Sequence, residues 1–286
     1  MKYRHSFHAG NFADVHKHVA LLALLTALKK KDKGFLYLDT HAGRGRYDLS
    51  GPSAEATAGV ERFERCPHAA QELRDYALLL RQLRAAAGRG RMYPGSPLIA
   101  LAALRSQDRA VFIELLAPEE HALAAALDAQ RTGEGSGPPA RVERGDGFAR
   151  LRGFLPPPER RGITFIDPPY EETQRDFTRV TAALTEGVRR FPTGVLAAWY
   201  PIKEARAVSE WHAGCAQALR AAVLVSELWL YPPDSRVGLN GSGLLVVNPP
   251  WLTLERMQVW MPELEACLAV GAGAGSSARM LSQSPA

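Results

Sequence analysis

Cysteine is scarce: Cys66, Cys215 and Cys267 are the only three in 286 residues. Their wide spacing indicates neither a metal cluster nor a disulfide framework, so plain thiols and no metal are expected. Long apolar runs are also missing. The longest, residues 19–28, is too short to span a bilayer. The first eight residues are polar, basic and aromatic, unlike a secretory leader with its small-residue cleavage site. A cytoplasmic protein that uses no membrane is the expectation, and a monomer is taken as the default. Neither charge sign is absent, but Lys and Arg (35) exceed Asp and Glu (30), a net charge of +5. Arginine dominates the cations, and its planar fork suits phosphates and base edges, which favours a polyanionic partner.

What is present is a regular alternation of helix and strand. Residues 11–31 carry Val15, Val19, Leu22, Leu25 and Leu28 at helical spacing, opened by Asn11 and Asp14 and closed by lysines that suit the helix dipole. A short buried strand, 35–39, runs into the glycine-bearing turn 40–45. Residues 50–92 then read as a helical insertion rich in Ala, Arg and Leu. From Ser96 onward, strands at 110–115, 141–143, 163–166, 194–200 and 223–230 alternate with helices. A last strand at 243–247 follows a Pro/Asp/Gly/Asn-rich connection without a helix, so it is expected to pair antiparallel with the one before. The expected fold is α/β and Rossmann-like, a seven-stranded, mostly parallel sheet with helices on both faces in one domain. The Gly/Ala/Ser-rich tail, 271–286, is expected to be disordered.

In such a sheet, ligands bind beyond the carboxyl ends of the strands near the point where strand order reverses. Three features fall there in chain order: Asp39 and the turn with His41, Gly43 and Gly45, the acid Glu114 after the second strand, and Asp146-Gly147 after the third. Each has a bland alternative, as a tight turn, a solvated strand end and a helix N-cap. Their succession points to a nucleoside-type cofactor. A nicotinamide dinucleotide is disfavoured, because Arg46-Tyr47-Asp48 follows Gly45 where its fingerprint needs a third glycine and a helix start.

After the fourth strand stands Asp167-Pro168-Pro169-Tyr170. Two prolines stiffen the loop and remove two N–H donors, and Pro168 restricts Asp167 to extended backbone. A carboxylate and the Pro168 carbonyl can accept both hydrogens of an exocyclic amine, while Tyr170 stacks on a flipped base. The chemistry expected is methyl transfer to that nitrogen, with positioning as the main aid. Asn248-Pro249-Pro250-Trp251 is a look-alike, but it follows the last strand and is read as a structural end-stop.

With those residues in view, the chain resembles the bacterial 23S ribosomal RNA adenine-N6 methyltransferases of the RlmJ type, along nearly its whole length. The likeness is most specific at Tyr3-Arg4-His5-Ser6-Phe7-His8-Ala9-Gly10-Asn11, at residues 35–43, at Tyr93-Pro94-Gly95-Ser96-Pro97 and at Asp167-Pro168-Pro169-Tyr170. Trp199-Tyr200-Pro201 and the loop at Asn248 also fit. The resemblance implies S-adenosyl-L-methionine as cofactor, held by His18, His41, Ser96, Glu114, Asp146 and Gly147. It implies Asp167 as the catalytic acceptor, and Tyr3, His5 and Lys17, with Pro168 and Tyr170, beside an adenosine of 23S ribosomal RNA. Read alone, His16 and His18 are more typical of packing or surface positions, and Lys17 could equally be solvated. Guanine-N2 methylation of RNA and adenine-N6 methylation of DNA remain alternatives, since the same loop chemistry serves other exocyclic amines. Arg44 departs from the family pattern, as does Leu116-Ala117-Pro118.

Overall fold

A computed structural model describes residues 8–51, 53–88, 91–130, 137–232, 235 and 237–282. The first helix, α1 (Phe12–Lys29), is capped by Asn11, whose side chain accepts from the Asp14 N–H while Asp14 accepts from the Gly10 N–H. Nearly every side chain from Phe12 to Leu22 is buried, so α1 is enclosed on all sides. Its polar residues Asp14, His16, Lys17 and His18 therefore had to find partners inside the protein.

The strand β1 (Leu36–Asp39) follows and is wholly buried, as a central parallel strand must be. Around it lie β4 (Arg109–Glu114), β5 (Ala140–Arg144), β6 (Gly162–Ile166), β7 (Val195–Ile202), β8 (Val223–Trp229), β9 (Gly241–Val247) and β10 (Gly275–Ser282). The order is β10-β8-β9-β7-β6-β1-β4-β5, parallel from β5 through β7 and antiparallel among β7, β9, β8 and β10. The chain runs outward from β1 to β5, then crosses back to β6 on the other side of β1, which makes the β1/β6 boundary the switch point.

One face of the sheet is covered by α1, α5 (Ser96–Ala103), α6 (Ala117–Gln130) and α10 (Thr253–Leu268), the other by α8 (Thr173–Arg190) and α9 (Ala205–Ala218). Between β1 and α5 the chain forms a two-stranded ribbon, β2 (Arg46–Asp48) with β3 (Met92–Pro94), which joins the ends of a helical segment made of α2 (Ala54–Ala58), α3 (Val60–Arg65) and α4 (Gln71–Ala86).

Three expectations need correcting. Among the described residues the sheet has eight strands, not seven. The eighth comes from the tail that composition marked as disordered: Gly275–Ser282 pairs along the whole of β8 and covers an edge that would otherwise expose unpaired backbone groups. Glycine is required at its start, since a Cβ at Gly275 would lie 2.4 Å from the Trp229 ring. Finally, Cys66 and Cys267, 201 residues apart, form a disulfide that ties the end of α3 to α10. No helix among the described residues is long and apolar enough to cross a membrane.

Candidate active site

Beyond β1, Gly43 and Gly45 take left-handed backbone (φ 62° and 72°), and a Cβ at Gly43 would lie 2.5 Å from the Tyr47 hydroxyl. Only glycine fits there without strain. The Gly43 N–H donates to Glu114 Oε2 at 2.8 Å, and the Leu116 N–H donates to Oε1 at 2.8 Å. Burial raises the pKa of the Glu114 carboxyl, and these backbone donors oppose that rise. The Leu115 N–H bears on the same carboxylate, and the acceptor capacity that remains can receive a hydroxyl. Beside it Leu115 and Leu116 are 60% and 46% exposed, an apolar surface next to a hydroxyl-binding acid.

Past β5, Asp146 caps the short helix α7 (Gly147–Arg150), accepting from the N–H groups of Phe148 and Ala149. The N-cap reading was therefore correct, and the carboxylate also pairs with Arg179 at 3.0 Å. Gly147 abuts the β1 loop so closely that a Cβ would fall 1.9 Å from the Thr40 carbonyl oxygen. His41 lies edge-on to Phe148 with centroids 4.7 Å apart and bonds Thr40 Oγ1 at 2.8 Å. Burial lowers its pKa to about 3, so the ring is neutral.

Beneath this surface Asp39 is completely buried. Its Oδ2 accepts from Ser96 Oγ at 2.7 Å and Tyr37 Oη at 2.9 Å, and its Oδ1 from the His41 N–H at 3.2 Å. Burial pushes its pKa up to about 6 against these bonds, and the nearby Asp167 charge adds to the rise. His18 reaches the same region from α1, its Nδ1 2.7 Å from the Tyr93 hydroxyl, which is 2.9 Å from that of Tyr76. A glycine turn, an acid with spare lone pairs, an exposed apolar pair and a second acid at a helix N-terminus suit a nucleoside with a polar tail.

The reacting loop lies next door. Ile166 is level with Ala198 across the β6/β7 pair, which sets Asp167 beside Trp199. Lys17 Nζ stands 2.6 Å from Asp167 Oδ2 and 2.8 Å from Asp14 Oδ1, with its side chain 4% exposed. Burial works against its charge, but the two carboxylates outweigh burial and raise the pKa above the ordinary lysine value. Lys17 Nζ also lies 5.3 Å from the Trp199 ring centroid. Of the two readings of Lys17, beside the substrate or solvated, the solvated one is excluded, because Lys17 is a buried ammonium shared by two carboxylates.

Tyr170 differs from its expected role as an open stacking face. It is 7% exposed, donates from its hydroxyl to the Trp199 carbonyl at 2.6 Å, and packs edge-on against Trp199 and Phe177. Burial, then the Asp167 charge, raises its pKa well above the ordinary tyrosine value, so it is a neutral donor. Trp199, beside this loop, is half-buried where Tyr170 is buried. Pro168 is buried behind Asp167, and Lys203 donates to the Tyr170 carbonyl at 3.3 Å. Tyr3 and His5 lie outside the described residues.

Asp14, Tyr93 and Trp199 were not among the expected site residues. For Asp14 the available signal was an acid three residues before Lys17 in an otherwise apolar helix. Arg44, the departure in the glycine turn, pairs with Glu119 at 2.8 Å.

The sequence pattern of the family described as "RsmJ: Ribosomal RNA large subunit methyltransferase D, RlmJ" matches residues 32–280. The chain is 41% identical over 280 residues to the Ribosomal RNA large subunit methyltransferase J of Escherichia coli (strain K12), covering 96% of each. To the protein of the same name from Haemophilus influenzae the identity is 38%, again with 96% of each covered. Among solved structures, protein LPL1258 from Legionella pneumophila is 32% identical, with a TM-score of 0.82 over 96% of this chain and 97% of that one. The glycine turn, the strand-end acids and the Asp-Pro-Pro-Tyr loop are thus carried by a chain that belongs to the RlmJ family of ribosomal RNA large-subunit methyltransferases.

Proposed function

We propose that the protein transfers a methyl group from S-adenosylmethionine to the exocyclic N6 of an adenine in 23S ribosomal RNA, acting as a cytoplasmic monomer. The observation that carries this reading is the Asp167 loop at the carboxyl edge of β6, with its carboxylate 2.6 Å from the buried Lys17 ammonium and adjacent to the cofactor loops. The excess of cations over anions (35 to 30) and the names of the relatives support RNA as the substrate.

His18, His41, Ser96, Glu114, Asp146 and Gly147 would hold the cofactor, which when bound supplies an electrophilic methyl group on a sulfonium sulfur. Glu114 would accept from a ribose hydroxyl, and Asp146 and Gly147 would line the other side of the cofactor. On the substrate side, Asp167 and the Pro168 carbonyl accept the two amine hydrogens and so turn the nitrogen lone pair toward the methyl group. The protein's own part would be to hold that lone pair in line with the methyl group and to pass the one proton that the nitrogen releases to Asp167 or, through it, to water. Lys17 holds Asp167 in place, Trp199 presents a face to the base, and Tyr170 braces the loop from behind. Tyr3 and His5 complete the adenosine side.

Incubating the pure protein with labelled cofactor and unmodified 23S ribosomal RNA, then digesting to nucleosides, tests this. Label in N6-methyladenosine is expected. Label in N2-methylguanosine, or transfer to DNA only, would contradict the assignment of the amine or of the substrate.

A further inference from the structure

Two serines interrupt the apolar face of the antiparallel strands. Ser226 lies between Leu224 and Leu228 on β8, and Ser242 precedes Leu244 and Val246 on β9. Ser226 is opposite Leu244 in the ladder, two residues from Ser242, so the two hydroxyls share one face. Both are fully buried, as is His16 of α1, which covers them. His16 Nδ1 lies 2.9 Å from Ser242 Oγ, and its Nε2 lies 3.1 Å from Ser226 Oγ. The ring is neutral, with burial lowering its pKa to about 3, so it donates to one serine and accepts from the other.

Ser242 has a further partner. The indole Nε1–H of Trp199 donates to Ser242 Oγ at 2.9 Å. An indole N–H is a donor only, so Ser242 must direct its own hydrogen elsewhere, to His16 Nδ1 or to the Ala13 carbonyl at 3.4 Å. In either arrangement a Ser242 lone pair faces the indole. The Trp199 ring is thus pinned at its nitrogen by Ser242, while its backbone carbonyl holds the Tyr170 hydroxyl. Its ring centroid lies 5.3 Å from Lys17 Nζ, the group that pairs with Asp167.

We propose that His16 and Ser242 are positioning residues for methyl transfer, fixing the plane of the Trp199 ring beside Asp167, where the adenine is proposed to sit. The proposal rests on the reading of the Asp167 loop as the transfer site. Neither residue touches the reacting atoms. Each acts through Trp199, and Ser226 anchors the histidine without touching the indole.

The test is a double-mutant cycle in the full-length protein, read as kcat on unmodified 23S ribosomal RNA. Ser242→Ala is expected to lower kcat roughly tenfold or more, because a small misplacement of a positioning group is costly, while the KM for cofactor stays within about twofold. Ser226→Ala is expected to leave kcat within about twofold. In a Trp199→Phe background, which has no indole N–H, adding Ser242→Ala is expected to change kcat by less than about twofold. His16→Phe is expected to behave like Ser242→Ala, and if it does not fold, Ser242→Ala carries the test because it removes a single oxygen. An equal loss from Ser242→Ala in both backgrounds would overturn the proposal. So would a loss from Ser226→Ala as large as that from Ser242→Ala, or thermal destabilisation with kcat unchanged. Asp167→Ala run alongside separates the two levels: full activity there defeats the site itself, whereas its loss with an unaffected Ser242→Ala defeats only the positioning role.

Discussion

Two loops of nearly the same composition leave the sheet at opposite ends. Asp167-Pro168-Pro169-Tyr170 follows β6, a parallel strand, and opens on the edge where the glycine turn, Glu114 and Asp146 lie. Asn248-Pro249-Pro250-Trp251 follows β9, which runs antiparallel to β7, so Val247 lies level with Leu196 near the start of that strand. The two also differ in what they grip. Asp167 is paired with a buried lysine, whereas Asn248 donates from its side-chain amide to the Pro192 and Gly194 carbonyls and Trp251 is 84% exposed. A motif's chemistry depends on the direction of the strand that delivers it.

The contrast is broken most strongly at Asp167. Asp167→Ala is expected to lower kcat by about a hundredfold or more, in the range seen when a positioned electrostatic group is removed, with RNA affinity kept in a filter-binding assay. The matching Asn248→Ala is expected to leave kcat unchanged while costing about 1–3 kcal/mol in chemical denaturation, from two lost hydrogen bonds and a left-handed φ of 51°. Lys17→Met goes further in stability. It strands two carboxylates, and unfolding by urea is expected to show a loss of about 3–5 kcal/mol, with reduced kcat in whatever protein folds. On the cofactor side of the active edge, Glu114→Gln is expected to raise the KM for S-adenosylmethionine roughly tenfold without changing RNA affinity, as for a lost hydrogen bond to a charged acceptor.

A pH-dependent effect concerns Asp39. Its folded pKa is raised by burial from 3.8 to about 6. The folded protein therefore holds a proton that the unfolded chain releases between those values. Asp39's contribution to stability is complete below the lower value and declines as pH rises through the window. Denaturation midpoints followed from pH 4 to 6 are expected to show that downward contribution in the wild type and to lack it in Asp39→Asn.

The placement of these loops at the carboxyl edge of the sheet was largely legible in the sequence, because strand-end residues keep a local signature: a buried run, then glycine or an acid. The antiparallel turn-back of β9 was also readable, since the connection from β8 contains no helix. What escaped were contacts between distant parts of the chain. Lys17 and Asp167 are 150 residues apart, and nothing near Lys17 tells a solvated cation from a buried one until α1 is known to be enclosed on all sides. Cys66 and Cys267 are hidden for the same reason. The tail misled because its small residues, a sign of disorder in isolation, here let a strand lie against Trp229 and close the β8 edge. Tyr170 misled in the opposite sense: its place in the motif invites stacking, but Trp199 and Phe177 enclose it.

The most direct measurement compares wild type, Asp167→Ala and Asn248→Ala side by side for labelled N6-methyladenosine in digested 23S ribosomal RNA. The account predicts label from the wild type and Asn248→Ala and almost none from Asp167→Ala. Label persisting in Asp167→Ala but lost in Asn248→Ala would contradict it.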